Sequence, residues 1–288
     1  MTWQILISIY LVLGTAAYLL RRSLAKRISE HNKLINGFFF LCVLYPLGLI
    51  VAAFSSPDLS VGWLNMFFLL AGSGVFPLIM VMAFRASKDV DAGLYTILNN
   101  LTPIITIVAA SLLIHETLNG RQMVGAAVII SSAFLATLPK LNHHRKNPSS
   151  GLLFALASVS LLGLAIVYER WMLTRIDYGA YLVLGWGSQT MWMVIMAWPE
   201  RKYIHLLRTK ENRNKVIGYG ITNAFKGLTF VSALKVSGNA SLVGASSSFM
   251  AVLVVISAYF ILKENEHLWL KVSAAIVGSS GLIILNTR

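Results

Sequence analysis

The chain reads as an all-α membrane protein, with ten transmembrane helices arranged as two inverted five-helix repeats. Three observations predict this. Of its 288 residues 57% are hydrophobic and only 12% charged, against about 25% charged in a soluble domain. Its apolar residues fall into ten runs, each close to the ~20 residues that span a hydrocarbon core. Finally, the stretch from Asp91 to Thr137 reappears 148 residues later as Asn239 to Leu285.

Aligned without a gap, the two copies share nine identities: Ala92/Ala240, Leu94/Leu242, Ala110/Ala258, Glu116/Glu264, Val124/Val272, Ala126/Ala274, Ala127/Ala275, Ser131/Ser279 and Ser132/Ser280. Most other pairs exchange one apolar residue for another, which membrane composition alone produces. The weight therefore falls on the acidic residue held at the same hinge in both copies. Duplicated membrane chains are commonly carriers that hold cargo where the halves meet.

Other classes fit less well. A net charge of +13 suggests nucleic acid only when basic residues cluster on one folded face, and here they sit in short loops between apolar runs. No nucleic-acid partner is expected. The single cysteine, Cys42, provides neither a disulfide framework nor a thiol metal site and reads as a small buried hydrophobe.

The ten spans are expected at 3–20, 34–54, 62–84, 92–114, 120–138, 151–169, 180–198, 216–234, 240–262 and 268–286. The first is followed, not preceded, by basic residues (Arg21, Arg22, Lys26, Arg27), so it reads as a retained helix rather than a cleaved signal. The fourth carries Tyr95, Thr96, Asn99, Asn100 and Thr102 ahead of Pro103. Pro103 donates no backbone hydrogen bond and so frees the carbonyl of Asn99, while Tyr95 and Asn99, four apart, share a face.

In the ninth span Ser247 and Ser248 align with Asn99 and Asn100, as a site on a pseudo-two-fold axis would require; the alternative is polar glue between helices. Glu169 and Arg170 close the sixth span as a gate or ion pair. Trp186, Gln189 and Trp192 of the seventh offer stacking surfaces, or packing and an interfacial belt.

Lys226 lies near the middle of the eighth span, beside Asn223. Facing lipid at that depth would cost about 2.5–3.5 kcal/mol, so it is expected to face a polar interior and attract an anionic group. Small residues four apart, Ala127 with Ser131 and Ala274 with Gly278, predict close helix packing in the last helix of each half. Connections are short except 139–150 and 199–215. The basic loop holding His143 and His144 joins a first repeat, 1–138, to a second, 151–288. No metal or cofactor is expected.

Positive residues in short loops stay cytoplasmic. The loops after the odd-numbered helices hold 18 of the 24 Lys and Arg, and the opposite side five. Both termini are therefore expected outside the cytoplasm.

The stretches Leu112-Leu113-Ile114-His115-Glu116-Thr117-Leu118 with Gly125, and Ile261-Leu262-Lys263-Glu264-Asn265-Glu266 with Gly278, resemble the EamA-type branch of the drug/metabolite transporter superfamily. That resemblance covers nearly the whole chain and implies a carrier of small organic solutes in a bacterial inner (plasma) membrane. The Trp-Gly pair often found in each half's first helix is Leu13-Gly14 and Leu162-Gly163 here.

The function expected is carriage of a small metabolite, an amino acid or another carboxylate-bearing solute, by alternating access, as efflux or facilitated exchange. The substrate-binding set is Lys226, Asn99, Tyr95, Asn100, Asn223, Ser247, Ser248, Trp186 and Gln189. Partners are the small-molecule substrate and the lipid bilayer, with the chain as monomer or homodimer. The alternative is a membrane-embedded enzyme or lipid- or drug-handling protein, but no phosphate loop, His-Glu-x-x-His or nucleophile elbow occurs.

Overall fold

The computed structural model describes residues 2–28, 31–90, 95, 98–137, 150–207, 210–262 and 268–286. Among them every regular element is helical. The first half contains α1 (Trp3–Ile28), α2 (Asn32–Phe39), a π-turn at Phe40–Leu44, α3 (Tyr45–Ala53), α4 (Trp63–Ser73), α5 (Val75–Asp89), α6 (Leu101–Leu113) and α7 (Gly120–Thr137). The second contains α8 (Ser150–Arg175), α9 (Tyr178–Ala180), a π-turn at Tyr181–Gly185, α10 (Trp186–Ala197), a 3-10 segment Trp198–Leu207, α11 (Lys210–Ser237), α12 (Ala240–Ser247), α13 (Met250–Leu262) and α14 (Leu268–Asn286).

Four described stretches are long and apolar enough to cross a membrane: Trp3–Ala25, Asn32–Ala53, Trp63–Lys88 and Gly151–Arg175. Several of the other predicted spans are shorter or interrupted helices. The interruptions have a physical cause where proline is present. Pro46, Pro77 and Pro103 each fall in the first turn of α3, α5 and α6, the one place in a helix where a missing N–H costs nothing.

At Asn100 the backbone turns just before α6, at the level of the carbonyl predicted to be freed. The aligned level of the second copy breaks without proline. There Ser248 and Phe249 form a turn in which their N–H groups donate to Ala245 and Ser246 carbonyls at 3.2 Å each, three residues back.

Helices pair in a definite register. Along α1 and α11, the Tyr10 ring packs at a tilt against Phe230 with centroids 4.9 Å apart, Gly14 meets Lys226 and Leu20 meets Gly218, which is an antiparallel run. Along α5 and α8 the same sense holds: Arg85 lies over the Phe154 ring, and Gly72, at the end of α4, meets the Tyr168 ring. The third pair, α7 with α14, is the tightest. A Cβ on Gly125 would sit 2.6 Å from the Leu285 backbone N, and one on Gly281 3.0 Å from the Ile129 N.

Small residues make that approach possible, but not all those expected. Ala274 and Gly278 are buried as predicted, whereas Ala127 and Ser131 are exposed; Gly125, Ala126, Ser132 and Ala133 form the contact face of α7. The four-residue spacing was right and its phase was off by about one position, because the face is set by Gly281 and Leu285 opposite.

Cys42 is likewise exposed, not buried. In the π-turn Phe40 and Leu44 turn inward, which leaves Leu41 and Cys42 on the outer surface. That surface is broadly apolar, with Val12, Leu112, Leu153, Ile276 and Ile283 all more than 60% exposed. A lipid-facing exterior accounts for it better than water does.

Gly125→Ala forces backbone apart at α7 and α14, and overpacking of this kind costs about 1–3 kcal/mol. A lower melting temperature in detergent is expected for Gly125→Ala but not for Gly62→Ala, where a Cβ meets nothing within 4 Å. Equal melting curves would contradict the close contact.

Candidate functional site

A cavity of about 210 Å³ opens between the two halves of the chain. One wall is the inward face of α11, where Tyr219, Asn223, Lys226 and Phe230 follow at helical spacing. Beside it, α1 contributes Tyr10, Gly14, Tyr18 and Arg21, again one face of one helix. The floor is the pair of broken helices, with Asn99, Asn100, Thr102 and Pro103 from one and Ser247, Ser248 and Met250 from the other. The remaining wall holds Ser158, Leu162, Ile166 and Glu169 of α8, with Trp186 and Gln189 of α10.

All nine residues expected to bind substrate, Tyr95 included, thus line one cavity. Thr96 lies outside the described residues, as do His143, His144 and Glu264. Trp192 is separate: its indole N–H donates to the Leu70 carbonyl at 2.7 Å, and its ring covers Gly74 on the outside of the bundle.

The polar groups are not equivalent chemically. Ser247 and Ser248 donate their hydroxyl protons to the Gly244 and Ala245 carbonyls at 2.7 and 2.6 Å, so what they present to the cavity is acceptor lone pairs. Lys226 is a donor only. Its ammonium lies 6.0 Å from the centre of the Tyr10 ring, within cation–π range, its stem rests on Gly14, and no described carboxylate pairs with it. Trp186, 2% exposed, is fixed against Gly48, where a Cβ would fall 2.7 Å from the indole.

Glu169 and Arg170 do not pair with each other, although Arg170 does form an ion pair. Helix α8 runs on to Arg175, so Glu169 is not at the end of its helix. It is 4% exposed, lines the cavity and accepts a 2.7 Å hydrogen bond from the Tyr181 hydroxyl. Arg170 turns the other way. Its Nε donates to Glu116 Oε1 at 2.8 Å and a terminal nitrogen donates to the Gly238 carbonyl at 2.7 Å.

Glu116 Oε2 in turn accepts from the Ala240 N–H at 2.8 Å, and the Asn239 amide donates to the Thr117 carbonyl at 3.4 Å. The hinge glutamate thus caps α12, which belongs to the other half of the chain. His115 beside it takes φ 55 and Gly238 φ 66, left-handed conformations that let both chain reversals approach. The result is a polar clasp joining the halves next to the cavity.

Three lining residues escaped sequence reading. Arg21 had been counted with the loop charges, but α1 continues to Ile28 and carries it into the cavity, 5.4 Å from the centres of the Tyr18 and Tyr95 rings. The available signal was spacing, since Gly14, Tyr18 and Arg21 follow at four and three residues. Tyr10 and Tyr219 carried no signal beyond the helical phase of Gly14 and Lys226.

Helices with an apolar exterior, enclosing a cavity into which both halves direct polar side chains, are the architecture expected of a membrane transporter. Residues 2–138 match the EamA-like transporter family, of the drug/metabolite transporter superfamily. A solved crystal structure is similar to it in fold, with a TM-score of 0.71 over 99% of this chain and 96% of that one at 14% identity. Comparison with curated proteins finds no match.

The clasp predicts coupled energetics. Glu116 and Arg170 side chains are 17% and 14% exposed, and charge-assisted hydrogen bonds of this kind contribute about 1.5–3 kcal/mol. Glu116→Ala and Arg170→Ala are each expected to lower thermal stability, and the double variant to lose less than the sum of the two. Strict additivity would mean the pair does not act as a unit.

Proposed function

We propose that the chain is a carrier built from two inverted five-helix repeats, 1–138 and 151–288, which cross the membrane ten times and move a small carboxylate-bearing metabolite by alternating access. The single observation that carries the cargo assignment is Lys226, a cation directed into the cavity with no described carboxylate to neutralise it. An unpaired charge away from water is costly, and a substrate carboxylate offsets that cost whenever it binds.

The repeat reading draws support from register. Moving each partner of the α1–α11 pairing by about 148 residues carries Gly14–Lys226 onto Gly163 and Leu78, and the observed α5–α8 pairing has that register to within a residue. Both copies also interrupt a helix at the same aligned level, Asn100 and Ser248. Discontinuous helices meeting at a central site are how many inverted-repeat carriers present backbone and side-chain polar groups to cargo.

Within the cavity, Lys226 holds the carboxylate. Asn99, Asn100 and Asn223 supply adjustable donors and acceptors, Ser247 and Ser248 accept from an amine or hydroxyl, and Tyr95 and Trp186 with Gln189 shape the apolar side. This donor set suits an amino acid or related carboxylate. The clasp of Glu116 and Arg170 closes the end near Glu169, and rocking of one half against the other would open it. The carrier works as a monomer or homodimer in a bacterial inner membrane, as efflux or facilitated exchange. Both termini face away from the cytoplasm, so a protease added to spheroplasts cleaves a terminal tag.

Proteoliposomes containing the purified chain test this reading with labelled amino acids and simple carboxylates. Lys226→Gln is expected to raise KM for the transported carboxylate roughly ten- to hundred-fold, the worth of one hydrogen bond to a charged group. It should leave the melting temperature unchanged or raise it, because no carboxylate partner among the described residues is lost and a cation–π contact at 6.0 Å is weak. Unchanged KM in a folded Lys226→Gln protein, or no flux of any carboxylate, counts against the proposal.

A further inference from the structure

Arg21 is the second cation of the cavity and the carrier reading does not use it. It lies seven residues beyond Gly14, the residue on which the Lys226 stem rests. Seven residues are two helical turns, about 10 Å at 1.5 Å per residue, so both cations face the same cavity from the same side of α1. Tyr219 of α11 is close enough to the Arg21 guanidinium to interact with its charge. It stands seven residues before Lys226, so the two helices place the same pair of levels side by side.

At the Arg21 level the hydrogen bonding is incomplete. Among the described residues, Arg21 Nε, Tyr219 Oη and Asn100 Nδ2 are buried and find no partner, although all three residues line the cavity. Tyr219 and Asn100 are only 1% and 2% exposed. Two of these atoms are obligate donors and the third is able to donate. Buried donors left open normally mark an absent acceptor.

The rings of Tyr18 and Tyr95 lie near the guanidinium and Tyr95 also bonds it through its side chain, but Nε is left open. Among the described residues Glu169 is the one carboxylate lining the cavity, and it belongs to the other end. It is bonded to Tyr181, and its neighbour Arg170 donates to Gly238, just past the end of α11.

We infer that Arg21, Tyr219 and Asn100 form a second anion subsite, and that the cargo is a dianionic metabolite whose two acidic groups engage Lys226 and Arg21 together. Two cations at this separation repel each other until negative charge is placed at both. A monoanion neutralises one and leaves the other, whereas a molecule acidic at both ends satisfies both and fills the open donors. This rests on the carrier reading above and narrows its substrate class.

The test uses the purified full-length chain in proteoliposomes and compares straight-chain α,ω-dicarboxylates with monocarboxylates of equal length. Chains of roughly four to eight carbons bracket the two-turn separation. The wild-type protein is expected to have a higher kcat/KM for one dicarboxylate length than for its monocarboxylate match. Arg21→Gln is expected to reduce that ratio about tenfold, the worth of one charged hydrogen bond, and Arg21→Lys to recover part of it.

If Arg21→Gln does not fold, the wild-type length series decides alone. Monocarboxylates carried in a Lys226-dependent way, with no dicarboxylate preferred, would overturn the second subsite and leave the carrier standing. A preference that survives intact in folded Arg21→Gln would also overturn it. No flux of any carboxylate defeats both.

Discussion

Everything in this fold answers to one constraint: a bilayer gives an unpaired charge or an open backbone group nothing to bond with. A long lysine in the middle of α11 is tolerable only if the surrounding helices enclose a polar space, and the helices of both halves are arranged to do so. Tyr10, Gly14, the broken ends at Asn100 and Ser248, and the polar face of α11 all converge on that space. The apolar residues left over form the exterior. The cavity is therefore less an opening in a packed bundle than the condition under which this bundle can sit in lipid.

The same constraint explains where the backbone is allowed to be irregular. Interruptions near Asn100 and Ser248 would leave carbonyls stranded in hydrocarbon, but both face the cavity rather than the outside. The side chains around them absorb part of the cost: Thr106 donates to the Thr102 carbonyl at 3.0 Å, Ser247 to Gly244 and Ser248 to Ala245. Thr106 also fills the space opposite Gly244 and bonds the Gly163 carbonyl at 3.3 Å. One residue thus ties α6 to α8 and α12 just below the breaks.

How much of this the sequence revealed follows from what periodicity can and cannot carry. Lys226 was legible because a charge in a long apolar run is anomalous in itself, and Asn99 with Asn100 because Pro103 marks their helix as broken. Arg21 was not, since a basic residue at the edge of an apolar run looks like a loop charge until the helix is seen to continue to Ile28. Glu169 failed for the same reason at the end of α8.

Both misplacements arise because hydropathy locates the apolar core of a helix and is silent on how far the helix extends beyond it. The phase error at Ala127 and Ser131 is different in kind. Small residues declare that a face is close-packed, and only the partner's Gly281 and Leu285 settle which of two adjacent faces it is.

The clasp and the cavity's second cation are related through the proposed repeat. An offset of 149 residues, the one that aligns Leu13-Gly14 with Leu162-Gly163, brings Arg21 onto Arg170. The two arginines start from equivalent sequence positions yet end in different surroundings. Arg170 is neutralised by Glu116 and bound to the Gly238 carbonyl, whereas Arg21 lies by the Tyr18 and Tyr95 rings with an open Nε. A symmetric sequence in an asymmetric state is what alternation between two ends of one cavity requires, because a carrier with both ends clasped traps its cargo and one with neither leaks. Under the proposed carrier reading, the inequality between the two arginines records which end is shut, and the open donors at Arg21 mark the end proposed to admit the anion.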